Sequence, residues 1–145
     1  MTIVDLCSQP AAVVSSAATV TQAIRVMLNH HVGAVAVTDD FRQIVGIFTE
    51  RDVLVKVALS GCDPSSTPVC ELVTSPVRTA TPDVTPAEAL RTMIEGHFRH
   101  LPIVSGQGKL LGILSIRNLL EWRADDLSHE LDALEQYFAN DSLGG

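Results

Sequence analysis

An α/β (α+β) fold made of two copies of one unit, each a small β-sheet with two packed helices, is predicted by three observations. The first is self-similarity at a fixed period: Gly46-Ile47-Phe48-Thr49-Glu50-Arg51-Asp52-Val53-Leu54 returns as Gly112-Ile113-Leu114-Ser115-Ile116-Arg117-Asn118-Leu119-Leu120 (112 − 46 = 66). The same offset carries Thr19 onto Thr85, Ala23 onto Ala89, Met27 onto Met93 and His31 onto His97 with no gap, the signature of a duplicated unit. The second is a pair of nearly continuous apolar runs, Ala34–Thr38 and Leu101–Val104, that read as buried strands. The third is a Thr-capped apolar stripe of helical period before each run.

Taken in order, residues 2–8 suit a short helical turn ending before Pro10, and Val13-Val14 a brief extended piece. Thr19 caps a helix whose apolar positions are Val20, Ala23, Ile24, Met27 and Leu28; His30 and His31 close it, with Gly33 as the stop. Ala34–Thr38 and residues 43–48 form a hairpin around the turn Asp39-Asp40-Phe41-Arg42, with Gly46 marking a bulge or close approach. A helix from Thr49 or Glu50 runs to about Leu59, and residues 60–68, rich in turn formers, link the halves. The second half repeats the order: a short helix at 69–74, an extended piece from Val77 to Ala80, then a helix capped by Thr85 with Pro86 at its first position. A hairpin of Leu101–Val104 and residues 109–114 follows, and a last helix starts at Ser115 or Ile116. That helix meets no breaker before Asn140 and carries a seam of Leu127, Leu131, Leu134 and Phe138 among acidic residues. The seam either clamps back onto the domain or pairs with another copy. The units are thus residues 3–59 and 69–122, with a helical extension at 123–139.

The chain has 145 residues, 46% hydrophobic and 19% charged, enough apolar matter for a sizeable core. A net charge of −7 argues against binding the nucleic-acid backbone, which is gripped mainly by Lys and Arg. A small anionic ligand needs only a few local donors and stays open. Cys7, Cys62 and Cys70 are odd in number and follow no metal-ligand spacing, which fits reduced thiols. With no leader-like start and no apolar run near membrane length, the chain is expected to be soluble, cytoplasmic and off the membrane.

The corner from Gly46 to Leu54 carries the candidate chemistry. A strand turning straight into a helix aims backbone N–H groups, the Thr49 hydroxyl and the Asp52 carboxylate at one place, a plausible seat for a phosphorylated sugar. The same spacing also suits a plain capping box, although Asp is shorter than the preferred Glu or Gln. The two roles can coexist. His30, His31, His97, His100 and His129 show no metal-ligand spacing, no metal is expected, and Met27 and Met93 read as core. No cysteine has a nearby base, no phosphate-cradling glycine loop is present, and no catalytic residues are assigned.

A tandem of about 60-residue units, each reading Thr…Ala…Met, a buried strand, then Gly-hydrophobic-X-Thr/Ser-X-X-Asp/Asn, resembles a pair of CBS domains (a Bateman module) over residues 3–122. The resemblance implies halves packed through their sheets around a pseudo-twofold axis, and two clefts between them for AMP, ADP, ATP or S-adenosylmethionine. It assigns Thr49 to ribose or phosphate and Asp52 to the ribose hydroxyls. Val77, Arg78, Thr79, Ala80, Phe98, Arg99 and His100 complete this cleft from the other half, with Arg99 and His100 standing where the family places phosphate-contacting basic residues, to which Arg51 would add. The second cleft would use Ser115 and Asn118 with Val13, Val14, Gly33, Ala34 and Val35. There Asn118 replaces the carboxylate and no basic pair is expected, so that cleft should bind more weakly.

The implied function is a stand-alone, non-catalytic regulatory module that needs no cofactor, binds an adenosyl ligand, forms a homodimer and signals to an effector protein. The alternative is a dimerising scaffold that docks a partner without any small molecule. An enzyme acting on nucleotides is the weakest reading, since no general base or metal set is visible.

Overall fold

A computed structural model describes residues 1–73 and 77–144, with the side chains of 138 and 140–144 outside the description. Pro76, the repeat partner of Pro10, and Thr74, at the end of the expected short helix, lie outside the described residues; that helix is a 3-10 turn, Val69–Glu71.

In the first unit, β1 (Val13–Ser15) runs parallel to β2 (Ala34–Thr38), which pairs antiparallel with β3 (Ile44–Thr49). Helix α1 (Val20–His30) packs on this sheet with Val20, Ala23 and Met27 buried. In the second unit β4 (His100–Val104) and β5 (Leu110–Ser115) form the hairpin, preceded by α3 (Pro86–Gly96). Thr19 and Thr85 both close full capping boxes, with Gln22 and Glu88 reaching back.

The duplication extends to irregularities. Each hairpin has a bulge at the same place, between Val37 and Thr38 in one and between Ile103 and Val104 in the other, where Val45 and Leu111 are the extra residues. Each first helix ends with a histidine in the left-handed region, His31 at φ 54° and His97 at φ 58°. The expected stop at Gly33 is therefore displaced to His31. The N–H of Val32 reaches back to the Met27 carbonyl at 3.1 Å and satisfies an otherwise open acceptor, so the turn closes without glycine.

Two elements depart from their repeat equivalents. The helix after Thr49 begins as α2 (Glu50–Asp52) but widens into a π-helical segment, Val53–Ala58. Val53, Val55 and Val57 alternate there, and branched Cβ atoms crowd an α-helical turn. The extended piece from Val77 to Ala80 forms no strand, only one bridge from Ala80 to Ile103. The cause is Pro102. Its equivalent Ala36 donates its N–H to the Ala12 carbonyl at 2.9 Å, whereas proline has no N–H to give residue 78.

The two units exchange their leading turns. The N-terminal 3-10 turn (Ile3–Leu6) buries Ile3 in the core of the second unit beside Met93, Leu101, Ile103 and Leu114. Val69, the repeat equivalent of Ile3, is buried in the core of the first unit with Val20, Val35 and Phe48. A third, smaller cluster joins the sheets: Ala36, Ile44 and Ile47 from one unit against Leu110 and Ile113 from the other. Edge bonds support it, with Leu110 N–H donating to the Arg42 carbonyl at 3.1 Å and Gln43 Nε2 to the Gln107 carbonyl at 2.9 Å.

Helix α4 (Ile116–Gly144) packs its first turns on the second unit through Ile116 and Leu119 and then leaves the domain. Leu127, Leu131 and Leu134 are exposed, so the described part of the seam does not clamp back; Phe138 belongs to the side chains outside the description. Among the described residues no helix is long and apolar enough to cross a membrane.

Terminal residues are ordinarily tolerant of change. Ile3 is an exception by its burial. Ile3→Ala is expected to destabilise the chain by about 2–4 kcal/mol, read as a lower urea midpoint in one unfolding transition.

Candidate functional site

The corner at Thr49 is built by its own hydrogen bonds. Thr49 Oγ1 accepts from the Asp52 N–H at 3.2 Å, and Asp52 Oδ2 accepts from the Thr49 N–H at 2.9 Å and the Thr49 hydroxyl at 3.2 Å. The capping box is thus formed. The other oxygen, Oδ1, lies 3.4 Å from Lys56 Nζ, which also donates to the Leu72 carbonyl at 2.9 Å. A carboxylate offers about four acceptor positions, so Oδ1 keeps capacity after this pairing.

The corner faces a cleft of about 680 Å³, lined on one side by Thr49, Glu50, Arg51, Asp52 and Leu54 over Ile47, and on the other by Val77, Arg78, Phe98, Arg99 and His100. Gly96 shapes that far wall. A Cβ there would sit 2.1 Å from the Phe98 ring, so only glycine lets the ring fold back over the end of α3. The Arg78 guanidinium then lies 5.5 Å from the ring centroid, a cation–π pair that holds a positive charge at the rim. Thr79 and Ala80 do not line the cleft; the Ala80 backbone is turned into the bridge with β4, bonded to Pro102 and Val104.

The equivalent corner is tighter. Asn118 Oδ1 accepts from the Ser115 N–H at 2.8 Å and its hydroxyl at 2.9 Å, while its amide donates to Ser8 Oγ at 3.0 Å. Asn118 is buried and committed to protein partners. The cleft beside it, about 790 Å³, is lined by Gly33, Ala34, Ser115 and Asn118, but not by Val13, Val14 or Val35. Val14 and Val35 belong to the core of the first unit, and Val13 packs against the cluster between the sheets. The expectation that no basic pair faces this cleft fails: His30, His31, Arg99, His100 and Arg117 all line it.

Arg99 and His100 line both clefts, together with Gly33 and Glu50. Gly33 and Arg99 are repeat equivalents, as are Ala34 and His100, so the small pair of one unit and the basic pair of the other line the second cleft together. Gly33 is tight as well, since a Cβ there would meet the Glu50 carboxylate at 3.3–3.4 Å. Burial holds His100 below the ordinary imidazole range; the Glu50 carboxylate opposes that shift and the Arg99 charge adds to it. Burial, with Asp5 nearby, likewise pushes the Cys7 thiol up to about 11, so it is an inert core group.

Glu50, His30 and His31 were missed by sequence reasoning. Each adjoins a residue that was singled out, Glu50 beside Thr49 and the histidines just ahead of Gly33, but only the packed sheets reveal which way they face. Among the described residues no group of three or more His, Cys, Asp or Glu side chains is placed to hold a metal ion.

Two lobes of one repeated sequence, with a cleft at each strand-to-helix corner, define a paired-cleft module. The family model for the CBS domain matches residues 3–59 and again 69–125, and the chain belongs to the CBS-domain family as a tandem pair. An uncharacterised 17.7 kDa protein of Acidianus ambivalens is 43% identical over 107 residues, covering 74% of this chain and 63% of that one. The chain spans about half to two thirds of the length of such curated relatives, 63%, 48% and 59% for three of them. Among solved structures, a protein with CBS domains from Burkholderia ambifaria is 33% identical with a TM-score of 0.76, covering 87% of this chain and 96% of its own. CBSX2, crystallised in complex with AMP, is 26% identical with a TM-score of 0.73, covering 86% and 96%.

His100 generates a pH prediction. Its native pKa lies below the unfolded value, so the unfolded chain binds the extra proton more readily and stability falls as pH drops through about 6.5. His100→Gln should flatten the melting temperature between pH 7.5 and 5.5; an unchanged slope would remove His100 as its source.

Proposed function

We propose that this chain is a non-catalytic, cytoplasmic regulatory module that binds an adenosyl ligand, AMP, ADP, ATP or S-adenosylmethionine, in the Asp52 cleft. The single observation that carries the reading is the cleft itself: an acceptor and hydroxyl pair on one wall faces Arg78, Arg99 and His100 on the other, with Phe98 between. Ribose hydroxyls would donate to the remaining capacity of Asp52 Oδ1, phosphate oxygens would accept from the basic wall, and the base would lie against Phe98 and Ile47. CBSX2 with AMP supports this chemistry for a relative of the same architecture. CBS-domain modules are generally regulatory, which supports the non-catalytic part of the reading.

The second cleft is proposed as the weaker one. The reason is Asn118, whose amide is neutral and already spent on Ser8 and Ser115, and not a shortage of basic groups.

Signalling requires two arrangements with different ligand affinity. We place the second arrangement at a homodimer face. Leu28 and Ile94, and Leu54 and Leu120, are two pairs of repeat equivalents, each 60–68% exposed, and such apolar pairs are suited to burial between copies. An effector protein would read the change. The alternative, a scaffold indifferent to nucleotides, is favoured by the capping box and the Lys56 pairing that already occupy Asp52.

Thermal unfolding with and without each nucleotide separates the two. Saturation at a hundredfold over Kd is expected to add about 2.7 kcal/mol, and Asp52→Ala should lose most of that ligand-induced increment whatever it does to the unliganded protein. No increment with any adenosyl compound supports the scaffold. Sedimentation tests the dimer: Leu28→Glu with Leu120→Glu should yield monomers, and a wild-type chain that is already monomeric would discard this face.

A further inference from the structure

We propose that the free part of α4 is a docking surface for a basic amphipathic helix of another protein. Leu127, Leu131 and Leu134, spaced four and three apart, form one stripe, and each is 43–60% exposed. This repeat is that of a helix-pairing seam, whose flanking positions select the partner by charge.

Here the flanks are acidic. Glu130 stands on one edge, between Leu127 and Leu134 along the helix, and Glu135 stands on the other, one turn beyond Leu131. Asp125 and Asp132 add charge on the outer face. The two arginines of α4 do not neutralise these edges: Arg117 Nε pairs with Glu121 at 3.0 Å and Arg123 with Asp126 at 2.8 Å.

A second copy is a poor occupant. Antiparallel pairing that sets Leu127 on Leu131 brings Glu130 against its own equivalent, and parallel pairing brings Glu130 against Glu135. Both arrangements oppose like charges at the seam. A helix presenting leucines flanked by Lys or Arg satisfies the stripe and both edges together. This surface lies beyond the clefts and does not depend on what fills them.

The test uses the full chain and two synthetic peptides that share one leucine seam, flanked by Lys in the first and by Glu in the second. Fluorescence anisotropy should show the Lys peptide binding about tenfold tighter, with the preference shrinking as salt rises. Leu131→Asp, at an exposed position, should abolish binding while leaving thermal unfolding unchanged. The double variant Glu130→Lys, Glu135→Lys should reverse the preference to the Glu peptide. Equal binding of both peptides, or binding of neither, overturns the proposal. So does a wild-type dimer that Leu131→Asp dissociates in sedimentation, because the seam would then belong to a second copy.

Discussion

The apolar contact between the two sheets fixes everything that lies around it. Ile44 and Ile47 meet their own repeat equivalents, Leu110 and Ile113, over Ala36, so the joint is one surface used twice. Burying a side chain of this size is worth about 1.5–3 kcal/mol, and the cluster holds few of them. The edge bonds from Leu110 to Arg42 and from Gln43 to Gln107 add direction to a contact that is otherwise only apolar. Ile47 floors one cleft and Ile113 lines the other. The width of each opening is therefore set by the same joint that holds the halves together, and a small rotation there would act on both.

A duplicated surface makes equal clefts only while the sequences agree, and here they part at a few decisive places. Gly96 and Phe98 supply an aromatic wall where the other unit has His30 and Val32. Arg99 and His100 stand where the other unit has Gly33 and Ala34. Asp52 keeps a charge, and Asn118 does not. Five pairs of substitutions on one backbone plan thus give two openings of different character that share a basic border.

Much of this was legible in the sequence because it is local. The constant offset foretold the repeated caps at Thr19 and Thr85, and it explains after the fact why the bulges and the left-handed histidines match, since equal sequences meet equal constraints. Pro102 shows a feature that could have been read and was not: a proline in β4 removes the donor that the neighbouring segment needs for pairing. The exchange of the leading turns was beyond reach, because Ile3 and Val69 look alike and nothing local says which core receives which. The linings of the clefts were read from the corner outward. Glu50, His30 and His31 enter only through the angle at which the sheets meet, a property of packing and not of any short stretch.

That exchange also determines how the molecule can be divided. A cut through the linker near Ser60 would separate the two repeats, yet each piece would carry away the plug that fills its neighbour. The first piece would lack Val69 and bear an orphaned Ile3; the second would bear an orphaned Val69 over an unfilled hollow beside Met93. The boundary between repeats in the chain is thus not a boundary in the folded object, and the smallest self-sufficient body is the pair.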